Sequence, residues 1–244
     1  MRWWQAGKSS GPTPPDVSDL AFHHNGDNVV VTSGSDVDSW TDLAPGAHNA
    51  VSGGAAKATR NLAALGGKAT VTFSGAGDQF YDGDNGSLVQ PGVFTVAVLS
   101  KQAVGTAFTG ACVDVAPTNT TTNAFMALAE NGPNRMCRVF PLDATYAFNA
   151  TTWALHIGTV GQTPGPNASV RIYEGTTLKN TQNFGSPFSA SYRYWRLGAL
   201  FQVPASWGFN GDIAAVLGWK KEQDATGRSA IVTYINAYYG TAFT

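Results

Sequence analysis

The sequence predicts an all-β protein, and three observations point to that class. Only 13% of the 244 residues are charged, against about 25% in an average soluble domain. Glycine is frequent, at 28 residues, whereas glutamate, a good helix former, occurs three times. Short apolar or alternating runs recur between turn-forming residues. This pattern excludes a helical bundle or coiled coil, and the formal net charge of −1 argues against binding nucleic acid by neutralising phosphates.

Runs with β-strand character follow one another from about residue 17 onward. Lys68–Phe73 alternates apolar and polar residues, as a strand with one solvated face does. Val93–Leu99 is apolar almost throughout, which is typical of a strand covered on both faces. Further candidate strands lie at 123–129, 135–140, 153–160, 169–173, 178–181, 192–202 and 212–219. About ten to twelve strands separated by turns predict an antiparallel sandwich of two sheets.

One helix is predicted near the C-terminus. Its apolar stripe has the spacing i, i+3, i+4, i+7. The stripe consists of Ile231, Tyr234, Ile235 and Tyr238. Asp224 is the predicted N-cap and Gly240 the predicted C′ residue, so the helix lies between them.

The first sixteen residues differ from the rest of the chain. Trp3 and Trp4 lead into a Ser/Gly/Pro-rich stretch that has the composition of a linker or arm. Two adjacent tryptophans are costly to leave in water, so we expect them to dock either on their own domain or on another subunit. The sequence therefore predicts an N-terminal docking arm over 1–16 and a β-sandwich domain over 17–244.

The compartment is predicted from what the chain lacks. No apolar run is long enough to span a bilayer, and the N-terminus has no apolar h-region, so we expect no membrane segment and no secretory signal. Cys112 and Cys137 are too few for a disulfide scaffold, and we interpret them as two small buried residues. Whether they pair depends on whether their strands are neighbours.

Several stretches, in order along the chain, carry a resemblance to a known family. They are Val37–Leu43 with Gly46–Ala50, Lys68–Tyr81, Phe94–Val98, and the C-terminal segments Arg196–Ala199, Phe209–Leu217 and Tyr238–Gly240. Together they resemble the concanavalin A-like lectin/glucanase superfamily, in the laminin-G-like branch found in bacterial and phage proteins. The resemblance covers about residues 20–244 and implies a jelly-roll sandwich. Ala215 departs from it, because the family often has glutamate there.

Catalytic chemistry is not predicted. Glycoside hydrolases of the resembled family place paired carboxylates on one strand face, because two groups must flank one glycosidic bond. Glu130 and Glu174 fall in turns and Glu222 precedes the helix, and none has a carboxylate two residues away on one strand. His156 lies in an apolar run and is interpreted as a satisfied core histidine. We therefore expect no enzyme and no catalytic residues.

One acidic segment has oxygen ligands at alternating positions. Asp78, Asp82 and Asp84 lie in a Gly/Asp-rich run, and oxygen ligands of this kind suit Ca²⁺. The spacing does not match an EF-hand loop. The alternative is a solvated Asp/Gly turn, so calcium is the one cofactor that the sequence leaves open.

A sugar site needs an exposed aromatic plane beside a few hydrogen-bonding groups. Trp207, in a Pro/Ser/Gly loop, is the first candidate, and Tyr81 with Asp82 is the second. Tryptophans in strand patterns are interpreted instead as core residues. These are Trp40, Trp153 and Trp219.

Two functions follow from these features. The main hypothesis is a non-catalytic structural protein of a phage virion, a capsid decoration or tail surface domain, held to other virion proteins through Trp3 and Trp4. The low charge suits close packing between copies, so we expect a homo-oligomer or lattice. The alternative is a carbohydrate-binding adhesin that recognises a bacterial surface glycan. No nucleic-acid or membrane partner is expected, and synthesis is expected in the host cytoplasm.

Overall fold

The protein is an antiparallel all-β structure with one helix at its C-terminal end, as predicted. The computed structural model describes residues 11–75, 79–89, 93–103, 109–118, 126–131, 134–139, 142–148, 151–161, 168–184, 192–201 and 208–244. None of the described helical residues belongs to a segment long and apolar enough to cross a bilayer.

Seventeen strands lie within the described residues. They are β1 (Leu20–Asn25), β2 (Val29–Ser33), β3 (Asp36–Trp40), β4 (Ala50–Ser52), β5 (Thr59–Leu65), β6 (Lys68–Ser74), β7 (Tyr81–Val89), β8 (Phe94–Gln102), β9 (Thr109–Ala116), β10 (Met126–Asn131), β11 (Asn134–Val139), β12 (Leu142–Ala147), β13 (Ala154–Gly161), β14 (Ser169–Glu174), β15 (Thr177–Asn183), β16 (Tyr192–Leu197) and β17 (Asn210–Trp219). The helix α1 is Ala225–Tyr239, and a short 3-10 turn at Val17–Asp19 precedes β1.

The strand pairings form two series. The first runs β15–β14–β13–β8–β17, and β17 pairs in addition with β1 and with β6, which pairs with β5. The second runs β2–β3–β4–β7–β16–β9–β10–β11–β12. Within the described ranges, one residue pair, Asp36 with Thr59, joins the two series into a single hydrogen-bonded network.

The larger hydrophobic cluster draws side chains from both series. Phe22 of β1 stacks on Trp195 of β16, with 5.0 Å between the ring centroids, and Phe94 of β8 meets Tyr192 of β16 edge-on at 4.9 Å. All four are fully buried, and burying a large apolar side chain contributes about 1.5–3 kcal/mol. The two series are therefore held together mainly by this shared core.

The helix covers part of the other face of the first series. Its Ile231, Ile235 and Tyr239 pack in a second cluster with Leu99 of β8 and Leu217 of β17. Both predicted helix ends are confirmed. At the start, the Asp224 Oδ1 accepts from the Gly227 N–H at 2.8 Å, and at the end Gly240 has φ 64°.

Several core predictions are tested by burial. Trp40 and Trp219 are fully buried, as predicted. Cys112 and Cys137 are buried too, and no disulfide joins them in the described structure. His156 is buried, but neither ring nitrogen has a hydrogen-bond partner among the described residues, so the prediction of a satisfied histidine was wrong in that respect.

Candidate functional site

Four of the residues singled out by the sequence lie outside the described residues. They are Trp3, Trp4, Asp78 and Trp207. The described end of the arm lies against its own domain: the Trp219 Nε1–H donates to the Pro15 carbonyl at 2.9 Å, and Lys221 pairs with Asp16 at 2.9 Å.

Tyr81 is not a sugar-stacking residue. Its side chain is fully buried in the core, and its hydroxyl donates to the Val37 carbonyl at 2.8 Å and accepts from the Ala58 N–H at 3.0 Å. The ring therefore offers no free face, and that prediction was wrong. Tyr81 is the first residue of β7, where strand alternation points it inward.

Asp82 and Asp84 point away from the core on β7, and each binds an arginine of β16. Asp82 makes a bidentate contact with Arg196 at 2.6 and 2.7 Å, and Asp84 makes one with Arg193 at 2.7 and 2.8 Å. The Arg193 guanidinium lowers the pKa of the Asp84 carboxyl. No three metal-ligating side chains cluster in the part of the chain that is described. The described residues therefore do not assemble the predicted calcium site.

A cavity of about 340 Å³ lies beside α1, at the edge of the first strand series. Its floor contains Trp153 and Leu155, and its rim contains Glu174, Thr177 and Lys179. Trp153 is half-buried, so part of its indole faces the cavity. The cavity thus places an aromatic plane next to hydrogen-bonding side chains.

The rim carries one charge of each sign. The Lys179 Nζ lies 2.8 Å from the Glu174 Oε2, and both side chains are partly exposed, at 31% and 39%. The two residues sit on the β14–β15 hairpin, and Gly175 is in its turn. Gly175 has φ 56°, and its N–H donates to the Leu155 carbonyl at 2.8 Å. The turn therefore holds the Glu174–Lys179 pair close to β13, the strand that follows Trp153.

The last residues of the described chain close the cavity on the helix side. Phe243 lines it, and its backbone N–H donates to the Asn236 Oδ1 at 2.9 Å while its carbonyl accepts from the Asn236 Nδ2 at 2.8 Å. The Thr244 carbonyl accepts from the Thr176 N–H at 2.9 Å. These hydrogen bonds connect α1 and the β14–β15 hairpin at the edge of the cavity.

Lys101 of β8 lies next to Trp153 and extends the surface beyond the first cavity. Its Nζ lies 5.4 Å from the centroid of the Trp153 ring, within cation–π range, and 3.3 Å from the Asp212 Oδ2. A second cavity of about 250 Å³ begins at Lys101 and Asp212. We call the two cavities with Trp153 and Lys101 between them the Trp153 groove.

Sequence reasoning missed this groove. Trp153 was interpreted as a core residue because an apolar run follows it, and it does pack at the edge of the helix-side cluster. The sequence places Glu174 in a turn and Lys179 in a candidate strand, and neither position indicates a binding site. No local pattern shows that this tryptophan lines a cavity beside the β14–β15 hairpin.

Neither a protein-family model nor a curated protein sequence matches the chain. The solved proteins that share its fold include a sialidase and botulinum neurotoxin binding domains. The Trypanosoma rangeli sialidase in complex with sialic acid aligns with a TM-score of 0.61 at 10% identity, over 88% of this chain and 33% of that one. The receptor-binding domain of botulinum neurotoxin type G aligns with a TM-score of 0.59 at 7% identity, over 88% and 51%. The binding domain of botulinum neurotoxin DC in complex with SialylT aligns with a TM-score of 0.60 at 10% identity, over 89% and 52%.

This chain spans between a third and about half of the length of those structures. At such low identity the likeness shows the fold alone. The resemblance to the concanavalin A-like superfamily stays a prediction.

Proposed function

We propose that the protein is a non-catalytic carbohydrate-binding domain and that Trp153 is the centre of its binding site. The observation that carries this proposal is the half-buried indole on the floor of a cavity whose rim holds Glu174 and Lys179. An indole face packs against the apolar C–H face of a sugar ring, while its hydroxyls need donors and acceptors at the edge.

The charged rim suits hydroxyl groups. The Glu174 carboxylate accepts hydrogen bonds and the Lys179 ammonium donates them. A partly exposed ion pair of this kind contributes about 0–1 kcal/mol to stability, so sharing its atoms with a ligand costs little. A volume of 340 Å³ is near the lower end of small-molecule sites, about 300–1,000 Å³. One sugar ring therefore suits this cavity.

The neighbours support the class of ligand. The sialidase was solved with sialic acid and a botulinum neurotoxin binding domain with SialylT. Non-catalytic binding is proposed because the described lining of the first cavity contains one carboxylate side chain, Glu174, whereas most glycoside hydrolases use two.

We also infer that the two strand series are the two sheets of a jelly-roll sandwich. The one pair that links them among the described strands, Asp36 with Thr59, and the core cluster shared between them support this form. The phage structural role, with docking through Trp3 and Trp4, stays a prediction because both residues lie outside the described chain.

A glycan array holding neutral and sialylated sugars tests the proposal. The wild-type protein should bind at least one class of glycan, and Trp153→Ala should weaken that binding about tenfold, equal to about 1.4 kcal/mol. Lys179→Met should weaken it too. The matched control is Lys57→Met, which breaks an exposed ion pair with Asp38 elsewhere and should change nothing. A blank array, or unchanged binding by Trp153→Ala, would refute the proposal.

A further inference from the structure

The two cavities of the Trp153 groove meet where Lys101, which lines the second, lies over the ring of Trp153, which lines the first. In the sheet, Lys101 of β8 pairs with Asp212 of β17, and Ser100 pairs with Ala154 of β13. Trp153 precedes Ala154, so continuing this register places it opposite Lys101. Trp153, Lys101 and Asp212 thus form one row across neighbouring strands.

The row continues into the second cavity. Asp212 pairs with Thr72 of β6, and the Thr72 hydroxyl donates to the Asp212 carboxylate. From Trp153 to Thr72 the row crosses three strand spacings of about 4.8 Å, or about 14 Å in total. That is longer than one sugar ring.

The floor of the second cavity depends on a glycine. Gly211 has φ 149°, and a Cβ there would lie 2.2 Å from the Lys101 carbonyl oxygen. The close approach of β17 to β8 brings the Asp212 carboxylate to the Lys101 ammonium. Together with Asn210, these residues line a space of about 250 Å³.

The charges along the groove are balanced. Lys179 pairs with Glu174 in the first cavity, and Lys101 pairs with Asp212 in the second. An anionic sugar would have to separate one of these pairs and would meet the remaining carboxylate. Hydroxyl groups can instead accept from the ammonium and donate to the carboxylate.

We propose that the groove binds a neutral oligosaccharide of at least two rings, with one ring on Trp153 and the next in the Lys101–Asp212 cavity. This inference rests on the proposed function and adds the length and charge of the glycan. It predicts three properties of binding. Affinity rises from mono- to di- or trisaccharide, a sialylated sugar binds no better than its neutral parent, and affinity depends little on salt.

Calorimetric titration tests the proposed length and charge of the glycan. The sugars are galactose, lactose, glucose, maltotriose, cellotriose and 3′-sialyllactose. At least one of lactose, maltotriose and cellotriose should bind at least tenfold more tightly than its monosaccharide. Asp212→Ala should remove that difference, and Asp212→Asn should remove part of it. In amide NMR spectra the oligosaccharide should shift the Gly211 signal and the monosaccharide should not.

Equal affinity for mono- and oligosaccharides, an undiminished preference in Asp212→Ala, or tighter binding of 3′-sialyllactose than of lactose would overturn the inference. The proposed function would survive each of those results, provided that Trp153→Ala still weakened binding. If none of these sugars bound and the array were blank as well, the proposed function would fail, and the inference with it. Thermal melting of both Asp212 variants checks that they are folded.

Discussion

Replacing Asp114 with asparagine should stabilise the protein, and increasingly so as the pH rises. Asp114 lies on β9 and is fully buried. Its Oδ2 accepts from the Phe201 N–H at 2.8 Å, but its Oδ1 has no partner in the described structure. Desolvation of the carboxylate outweighs the help of Arg196 and raises the pKa of Asp114 from 3.8 to about 7.

The size of the effect follows from that pKa. Between pH 3.8 and 7 the folded protein holds a proton on Asp114 that the unfolded chain releases, so stability falls as pH rises through this range. At 1.36 kcal/mol per pH unit, the cost is about 2 kcal/mol at pH 5 and levels off at about 4 kcal/mol above pH 7. Asparagine does not ionise and avoids this cost.

Urea unfolding of the wild type and of Asp114→Asn at pH 5 and pH 8 measures this difference in the free energy of unfolding. The advantage of the variant should grow by about 2–3 kcal/mol between the two pH values, because any pH-independent change in hydrogen bonding cancels. Asp84→Asn is the matched control: Arg193 lowers the pKa of Asp84, so that variant should lose at most about 1 kcal/mol. An advantage that stays constant or shrinks toward pH 8 would refute this account of Asp114.

Three further predictions concern the fold. His24 is fully buried, and desolvation lowers its pKa to about 3, so its contribution to stability should be lost as pH drops from 6.5 toward 3, and His24→Gln should remove that contribution from the pH dependence in a urea series. Gly175→Ala should destabilise more than Gly67→Ala in thermal melting, because both have positive φ but only Gly175 would place its Cβ against the Thr244 carbonyl, at 1.7 Å; equal losses would contradict this. Asp224→Ala should cost about 1 kcal/mol in urea unfolding through loss of the helix cap, and no loss would mean that the cap is redundant.

The sequence predicts those parts of the fold that depend on local residue patterns. The stripe containing Ile231 and Ile235 has a helical period, and its cap residues are adjacent in sequence, so the helix and its ends are predictable. Alternation of apolar and polar residues likewise predicts β6, and a continuous apolar run predicts β8. These features need no knowledge of distant residues.

The site depends on contacts between residues far apart in the chain. Asp82 looks like a calcium ligand until Arg196, 114 residues later, takes both of its oxygens. Tyr81 looks exposed beside a turn, but the inward side of β7 buries it. Trp153 looks like core, but it lines a cavity together with residues of the β14–β15 hairpin and with Phe243, which is 90 residues later in the chain. Local pattern cannot predict what covers a side chain.

The most direct test of glycan binding at Trp153 is an NMR titration of the indole N–H signals. The chain has seven tryptophans, and Trp153→Phe assigns the relevant signal. On addition of a neutral oligosaccharide selected on the array, the Trp153 signal should shift in a saturable way. The Trp195 signal should stay in place, because that indole is fully buried and donates to His24 Nε2 at 3.0 Å. Saturable binding that leaves the Trp153 signal unmoved would contradict the account.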